Sequence, residues 1–166
     1  MLATIGYEGA RPDDFVGTLQ LVDIQMVVDI RDRAQSRRPG FSKSALRENL
    51  EQNGIGYVHL KELGDPKDGR DAARSGDLAK FKRIYAGVLK TQQAAEALDQ
   101  IAELAKGMNV CLLCYERDHH ECHRKIVADH LESVTGCKVR HLGVQTNVAV
   151  RSLQGRMRDA CEGAPA

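Results

Sequence analysis

The 166-residue chain has no tryptophan, only three phenylalanines and four tyrosines. So few rings argue against an aromatic platform for stacking successive nucleic-acid bases. An excess of one charge is also missing. The 24 Lys+Arg against 23 Asp+Glu leave a formal net charge of +1, which gives no global case for a nucleic-acid or membrane surface. No apolar run approaches the ~20 residues of a membrane-crossing helix, so no membrane partner is expected. The opening Met1-Leu2-Ala3-Thr4-Ile5-Gly6 reads as neither a signal nor a transit peptide. Five cysteines are an odd number, and Cys111 and Cys114 fall inside a strand-like run. Reduced thiols in a cytoplasmic protein are therefore expected, not a disulfide framework.

What is present is an alternation of short apolar runs with helical patterns, which predicts an α/β fold: a single domain with a mainly parallel five-stranded sheet flanked by helices. Strands are expected at Leu2–Gly6, Ile24–Ile30, Ile55–Leu60, Asn109–Tyr115 and Lys138–Leu142. Helices are expected from Pro12 to about Val22, Lys43–Gln52, Leu78 to about Leu89, Gln92–Lys106 and Glu121–Val134. Ser42 and Asp77 read as N-caps, and Asn53-Gly54 as a helix stop. Gly64 to Gly76 reads as a polar loop. The domain is expected over 1–143, followed by a partly ordered extension, 144–166, with a weak helical pattern at Val148, Leu153 and Met157.

In a parallel sheet all strand C-termini gather on one edge, where ligands bind. The unusual residues fall at those ends: Tyr7 and Glu8, Asp29 and Arg31, His59 and Glu62, Cys114 and Glu116, and His141. Their convergence predicts a polar pocket. Asp29 and Arg31, two apart, share a strand face; Arg31 is expected to grip an anion with Asp29 fixing it, or the pair only orients the loop. Cys122, His123 and Arg124 stand in the first turn of a helix, where free N–H groups favour anions and thiolates. Cys114 or Cys122 is thus a candidate nucleophile, with His123, Glu116 or His59 moving protons. The structural alternatives are a small core cysteine, a capping histidine and a hydrogen-bonded strand histidine. Tyr7, Asp29, Arg31, Glu62 and Arg124 are the expected substrate-binding residues.

Cys111 and Cys114 have the spacing of a redox or zinc motif, but positions three apart in a strand face opposite ways. Zinc held by Cys114, Cys122, His123 and His119 or His120 matches no common structural spacing, so no metal or other cofactor is expected. The basic segment Arg31, Arg33, Arg37, Arg38, Lys43 and Arg47 offers phosphate contacts or a solvated loop.

Thr4-Ile5-Gly6-Tyr7, Val28-Asp29-Ile30-Arg31, Ser36-Arg37-Arg38, Gly40-Phe41-Ser42-Lys43, Tyr57-Val58-His59-Leu60 with Glu62-Leu63-Gly64, and Leu113-Cys114-Tyr115-Glu116 with Cys122-His123-Arg124 together resemble the domain-of-unknown-function 488 family, in order from Leu2 to Leu142. The resemblance implies a compact α/β domain with Asp29, Arg31, His59, Glu62, Cys114, Glu116, Cys122, His123 and Arg124 around one cleft. Many relatives carry His where Tyr7 stands. The Asp-x-Arg and strand-end cysteine are also loosely similar to rhodanese-like domains, but the loop after Cys114 is longer and lacks their glycines.

These residues lead to an expected enzyme acting on a small anionic or phosphate-bearing substrate, with a nucleotide within that class. The alternatives are a non-catalytic nucleic-acid or nucleotide-binding module, using Arg31 to Arg47 and a basic tail (Arg151, Arg156, Arg158), and a rhodanese-like sulfur-transfer, thiol or zinc protein. Oligomeric state is not readable from the chain.

Overall fold

The computed structural model describes residues 1–148. The tail residues Arg151, Leu153, Arg156, Met157 and Arg158 lie outside the described residues. Five strands, β1 (Leu2–Gly6), β2 (Met26–Asp29), β3 (Gly56–His59), β4 (Val110–Cys114) and β5 (Val139–Leu142), form one sheet in the order β3-β2-β4-β1-β5. Every adjacent pair is parallel. Six helices connect them: α1 (Pro12–Leu21), α2 (Lys43–Gln52), α3 (Lys67–Arg74), α4 (Leu78–Leu89), α5 (Gln92–Gly107) and α6 (His123–Thr135).

The chain moves one way along the sheet through α1 and α2, then back through α3–α5 and α6. With right-handed crossovers this reversal puts the two helix sets on opposite faces. The core divides accordingly. Ala3, Ile5, Val27, Cys111 and Leu113 pack under Phe15, Leu19, Leu46 and Leu50 of α1 and α2. Val28, Val110 and Leu112 pack under Tyr85, Leu98, Ile101, Val127 and Leu131 of α4, α5 and α6. Cys111 thus sits on the first face, whereas Cys114 reaches α6 on the second, as a period of two requires.

The expected loop from Gly64 to Gly76 contains α3 instead. Pro66 stands at its N-cap, Asp68 lies in the first turn and Arg74 in the last, and Lys67 pairs with Asp71 at i,i+4. The polar composition hid a helix whose buried side offers only Gly69 and Ala72 to the core. The strands are shorter than their apolar runs: Ile24, Ile30, Ile55 and Leu60 are buried but lie outside the ladder. Past β5, the Gln145 N–H donates to Thr18 Oγ1 and the Val148 N–H to Asp14 Oδ1, tying this segment to α1.

Candidate active site

The register aligns the strand ends. Gly6 lies opposite Cys114, and Asp29 opposite both Leu113 and His59. Beyond the ladder the Tyr7 N–H still donates to the Cys114 carbonyl, and the Glu8 N–H to that of Tyr115. The side chains that follow β1, β2 and β4 therefore meet at the reversal of strand order, the usual ligand-binding edge of an open α/β sheet. A cleft of about 1070 Å³ opens there. Tyr7, Arg31, Cys114, Glu116, Cys122 and His123 line it, with Asp65, Arg70 and Arg74 from the other wall.

At its base lie two thiols and one imidazole. The His123 Nε2–H donates to the Ile30 carbonyl at 2.8 Å, because a carbonyl can only accept. That bond turns Nδ1 toward the thiols, 3.8 Å from Cys114 Sγ and 3.8 Å from Cys122 Sγ. All three groups are buried. Burial opposes ionisation of Cys122, but the Cys114 thiol, the His123 imidazolium and Arg124 outweigh it and hold its pKa well below the usual thiol range. Burial also opposes charging His123, yet the neighbouring Cys122 and the Ile30 carbonyl raise it to about 9. Cys114 is pushed the other way by its bond to Cys122, by burial and by Glu116. Two protons are thus held among the three groups, on Cys114 and His123, and the thiolate character falls on Cys122.

Glu116 stands 3.2 Å from Cys114 Sγ, as two positions along one face predict. Burial and the Cys122 charge raise its carboxyl to about 7. Its turn is clamped from three sides. Arg124 donates from its Nη atoms to the Glu116 and Arg117 carbonyls; Glu8 accepts from the Arg117 N–H at 2.9 Å; and Gly6 runs so close that a Cβ there would lie 1.8 Å from the Glu116 carbonyl oxygen. Arg124 is 1 % exposed and does not line the cleft. It holds the backbone under Glu116.

Arg31 is similarly engaged. Nε and Nη2 grip both oxygens of Asp29 at 2.8 and 2.6 Å, and Nη1 donates to the Tyr7 hydroxyl and the Phe41 carbonyl, each at 2.9 Å. The Tyr57 hydroxyl adds a bond to Asp29 at 2.6 Å, and Tyr7 stacks on Phe41 with centroids 4.4 Å apart. Four of the five guanidinium protons are committed to the protein. His59 donates from Nε2 to the Arg31 carbonyl at 2.7 Å and does not line the cleft. Glu62, in a 3-10 turn (Lys61–Leu63), makes no hydrogen bond or ion pair with the described residues and does not line the cleft. His141 bonds Thr4 and stacks on His119 at 3.7 Å, also outside it.

Sequence reasoning missed the α3 wall. Arg70 and Arg74, one helical turn apart, face the cleft, and Arg70 pairs with Asp32 at 2.9 Å. Asp65, immediately before α3, is 5 % exposed with Oδ1 lacking any partner, and burial raises its carboxyl to about 6. The i,i+4 spacing of these arginines was visible, but only a helix puts them on one face. Tyr57 and Phe41 stand in the motifs that carry the family resemblance, but no local signal marks their role in holding Asp29 and Arg31.

A doubly faced parallel α/β domain with a thiol-floored, arginine-walled cleft at its strand C-termini is thus the class of protein defined. A family model described as Domain of unknown function DUF488 matches residues 11–131, and the chain belongs to that family. No curated protein and no solved structure matches it.

Proposed function

We propose that this protein is an enzyme acting on a small anionic, phosphate-bearing substrate held in the cleft, with Cys122, Cys114, His123 and Glu116 at the reacting end. The observation that carries the reading is the union of two features in one hollow: arginines at the mouth and a buried thiol–imidazole cluster at the floor. Arg33, Arg37 and Arg74 are exposed, line the cleft and form no ion pair with the described residues. Several carboxylates of the cleft are already engaged: Asp32 by Arg70, Asp118 by His120 and Glu116 by Cys114. The uncommitted positive charge therefore lies at the mouth, where it steers and holds an anion.

Tyr115, 42 % exposed and set edge-on to Tyr7 at 5.3 Å, gives the cleft one stacking surface. That surface suits the base of a nucleotide. A solvated basic module for nucleic acid would need neither the buried thiols nor an inward-facing arginine wall.

Thermal shift tests this directly, with inorganic pyrophosphate and nucleoside diphosphates as probes. Ligand at ~100-fold its Kd stabilises by about 2.7 kcal/mol, a rise of roughly 5–10 °C for a chain of this size. The Arg33→Ala/Arg74→Ala double variant is expected to lose the shift. An unaltered shift in that variant places anion binding elsewhere. A shift carried only by long oligonucleotides, with a steep salt slope, supports the binding-module alternative.

A further inference from the structure

We propose that Cys114 Sγ, Cys122 Sγ and His123 Nδ1 form a Cys2His site for one zinc-class divalent ion, with its fourth coordination position open to the cleft. The inference rests on ligand geometry and stands apart from the anion-binding reading. A nucleophile–base dyad needs one sulfur near one nitrogen. Here two sulfurs stand at the same 3.8 Å from Nδ1, and the three ligand atoms all lie within 4.8 Å of one another. Tetrahedral zinc, with Zn–S about 2.3 Å and Zn–N about 2.0–2.1 Å, puts sulfur and nitrogen roughly 3.6 Å apart and two sulfurs roughly 3.8 Å apart. The nitrogen–sulfur distances exceed the tetrahedral value by a few tenths of an ångström, and the two sulfurs, within 4.8 Å of each other, close to roughly 3.8 Å when they share the ion.

The surroundings fit a metal ligand set. The second nitrogen of His123 is anchored on the Ile30 carbonyl, the outer contact that fixes the tautomer and aims a ligating imidazole. Cys122 Sγ accepts the Arg124 N–H at 3.5 Å, an N–H···S bond of the kind that supports a metal thiolate. Charge also balances. Two thiols lose their protons to solvent, and two thiolates, one neutral imidazole and a dication sum to zero in a buried pocket. All three ligating residues line the cleft, so a fourth position faces it. Three protein ligands with one open position are the arrangement of catalytic zinc, not of a closed structural site. The sequence spacing disguised this, because the 3-10 turn at His119–Glu121 folds Cys122 and His123 back onto the end of β4.

The test is metal analysis of the full chain, purified with reductant and without chelator, then titrated with cobalt(II). About one zinc per chain is expected, and cobalt should give thiolate charge-transfer absorption with the visible bands of a tetrahedral site. Cys114→Ser, Cys122→Ser and His123→Asn should each lose stoichiometric metal. Cys137→Ser, at an exposed thiol, should keep it. His119→Ala/His120→Ala should also keep it; loss there would trace the metal to the exposed Asp118–His119–His120 group and overturn the assignment. Cobalt titration of the unaltered chain decides the matter even if a cysteine variant fails to fold. No cobalt thiolate band, or a Cys114–Cys122 disulfide in its place, overturns the proposal. Pyrophosphate shifts are read separately, so a metal-free protein that still binds the anion refutes only the metal site.

Discussion

Replacing Arg31 separates a structural from a ligand-binding role. Asp29 is fully buried and receives bonds from Arg31 and Tyr57, while Arg31 is 5 % exposed. Arg31→Ala would leave a carboxylate in the interior with only the tyrosine and the Arg31 backbone N–H to hold it. Removing one member of a buried pair costs about 3–5 kcal/mol, because the remaining charge is left without compensation. In a chain of this size that lowers the melting midpoint by roughly 6–20 °C. The Tyr7 hydroxyl and the Phe41 carbonyl would also each lose a donor, which favours the upper part of that range. Arg31→Lys should recover only part of the loss, since an ammonium cannot span both carboxylate oxygens. Calorimetry of Arg31→Ala, Asp29→Asn and the double variant gives the coupling. The double variant should be clearly less damaged than the sum of the singles. If Arg31→Ala melts within about 2 °C of the parent while anion affinity collapses, the buried-pair argument is wrong and Arg31 is a ligand clamp after all.

Two further substitutions probe the geometry. Gly6→Ala should displace the Glu116 turn, since its Cβ would collide with the Glu116 carbonyl; we expect a loss of about 1–3 kcal/mol and slowed turnover, and a crystal structure with an unmoved turn would contradict it. Asp65→Asn should stabilise the fold at pH 8. The folded carboxyl titrates near 6, above its usual 3.8, so its ionisation costs stability that grows between about pH 4 and 6 and is complete above. With solvent screening of the carboxyl the cost is on the order of 1–2 kcal/mol, and denaturant unfolding at pH 8 and pH 4 should show the gain only at the higher pH.

Much of the fold could be read from local chemistry. The spans of α2 and α4 follow from Ser42, Asn53-Gly54 and Asp77, and Asp77 does accept from the Lys80 N–H. The strands were overlong because Ile24, Ile30 and Leu60 are apolar for the sake of the core, while hydrogen-bonded pairing ends sooner. Helix α3 escaped because Lys67-Asp68-Gly69-Arg70-Asp71 has almost no apolar stripe. Strand order was not legible, since it depends on long-range packing that no window of sequence contains.

The site divides along the same line. Relations between neighbours in one strand followed from the period of two: Asp29 with Arg31, Cys114 with Glu116, and Cys111 turned away from both. Relations across the fold did not. Arg124 at a helix start reads as an anion binder by charge and position, yet its guanidinium folds onto the backbone of the preceding turn, where two carbonyls need donors. The same need explains Arg31. A long cation beside a strand end is as useful for filling buried acceptors as for meeting a ligand, and the sequence carries no mark of which demand is met first. The cleft's free charge therefore comes from arginines with no buried acceptors to satisfy, Arg33, Arg37 and Arg74, which composition alone cannot distinguish from a solvated surface.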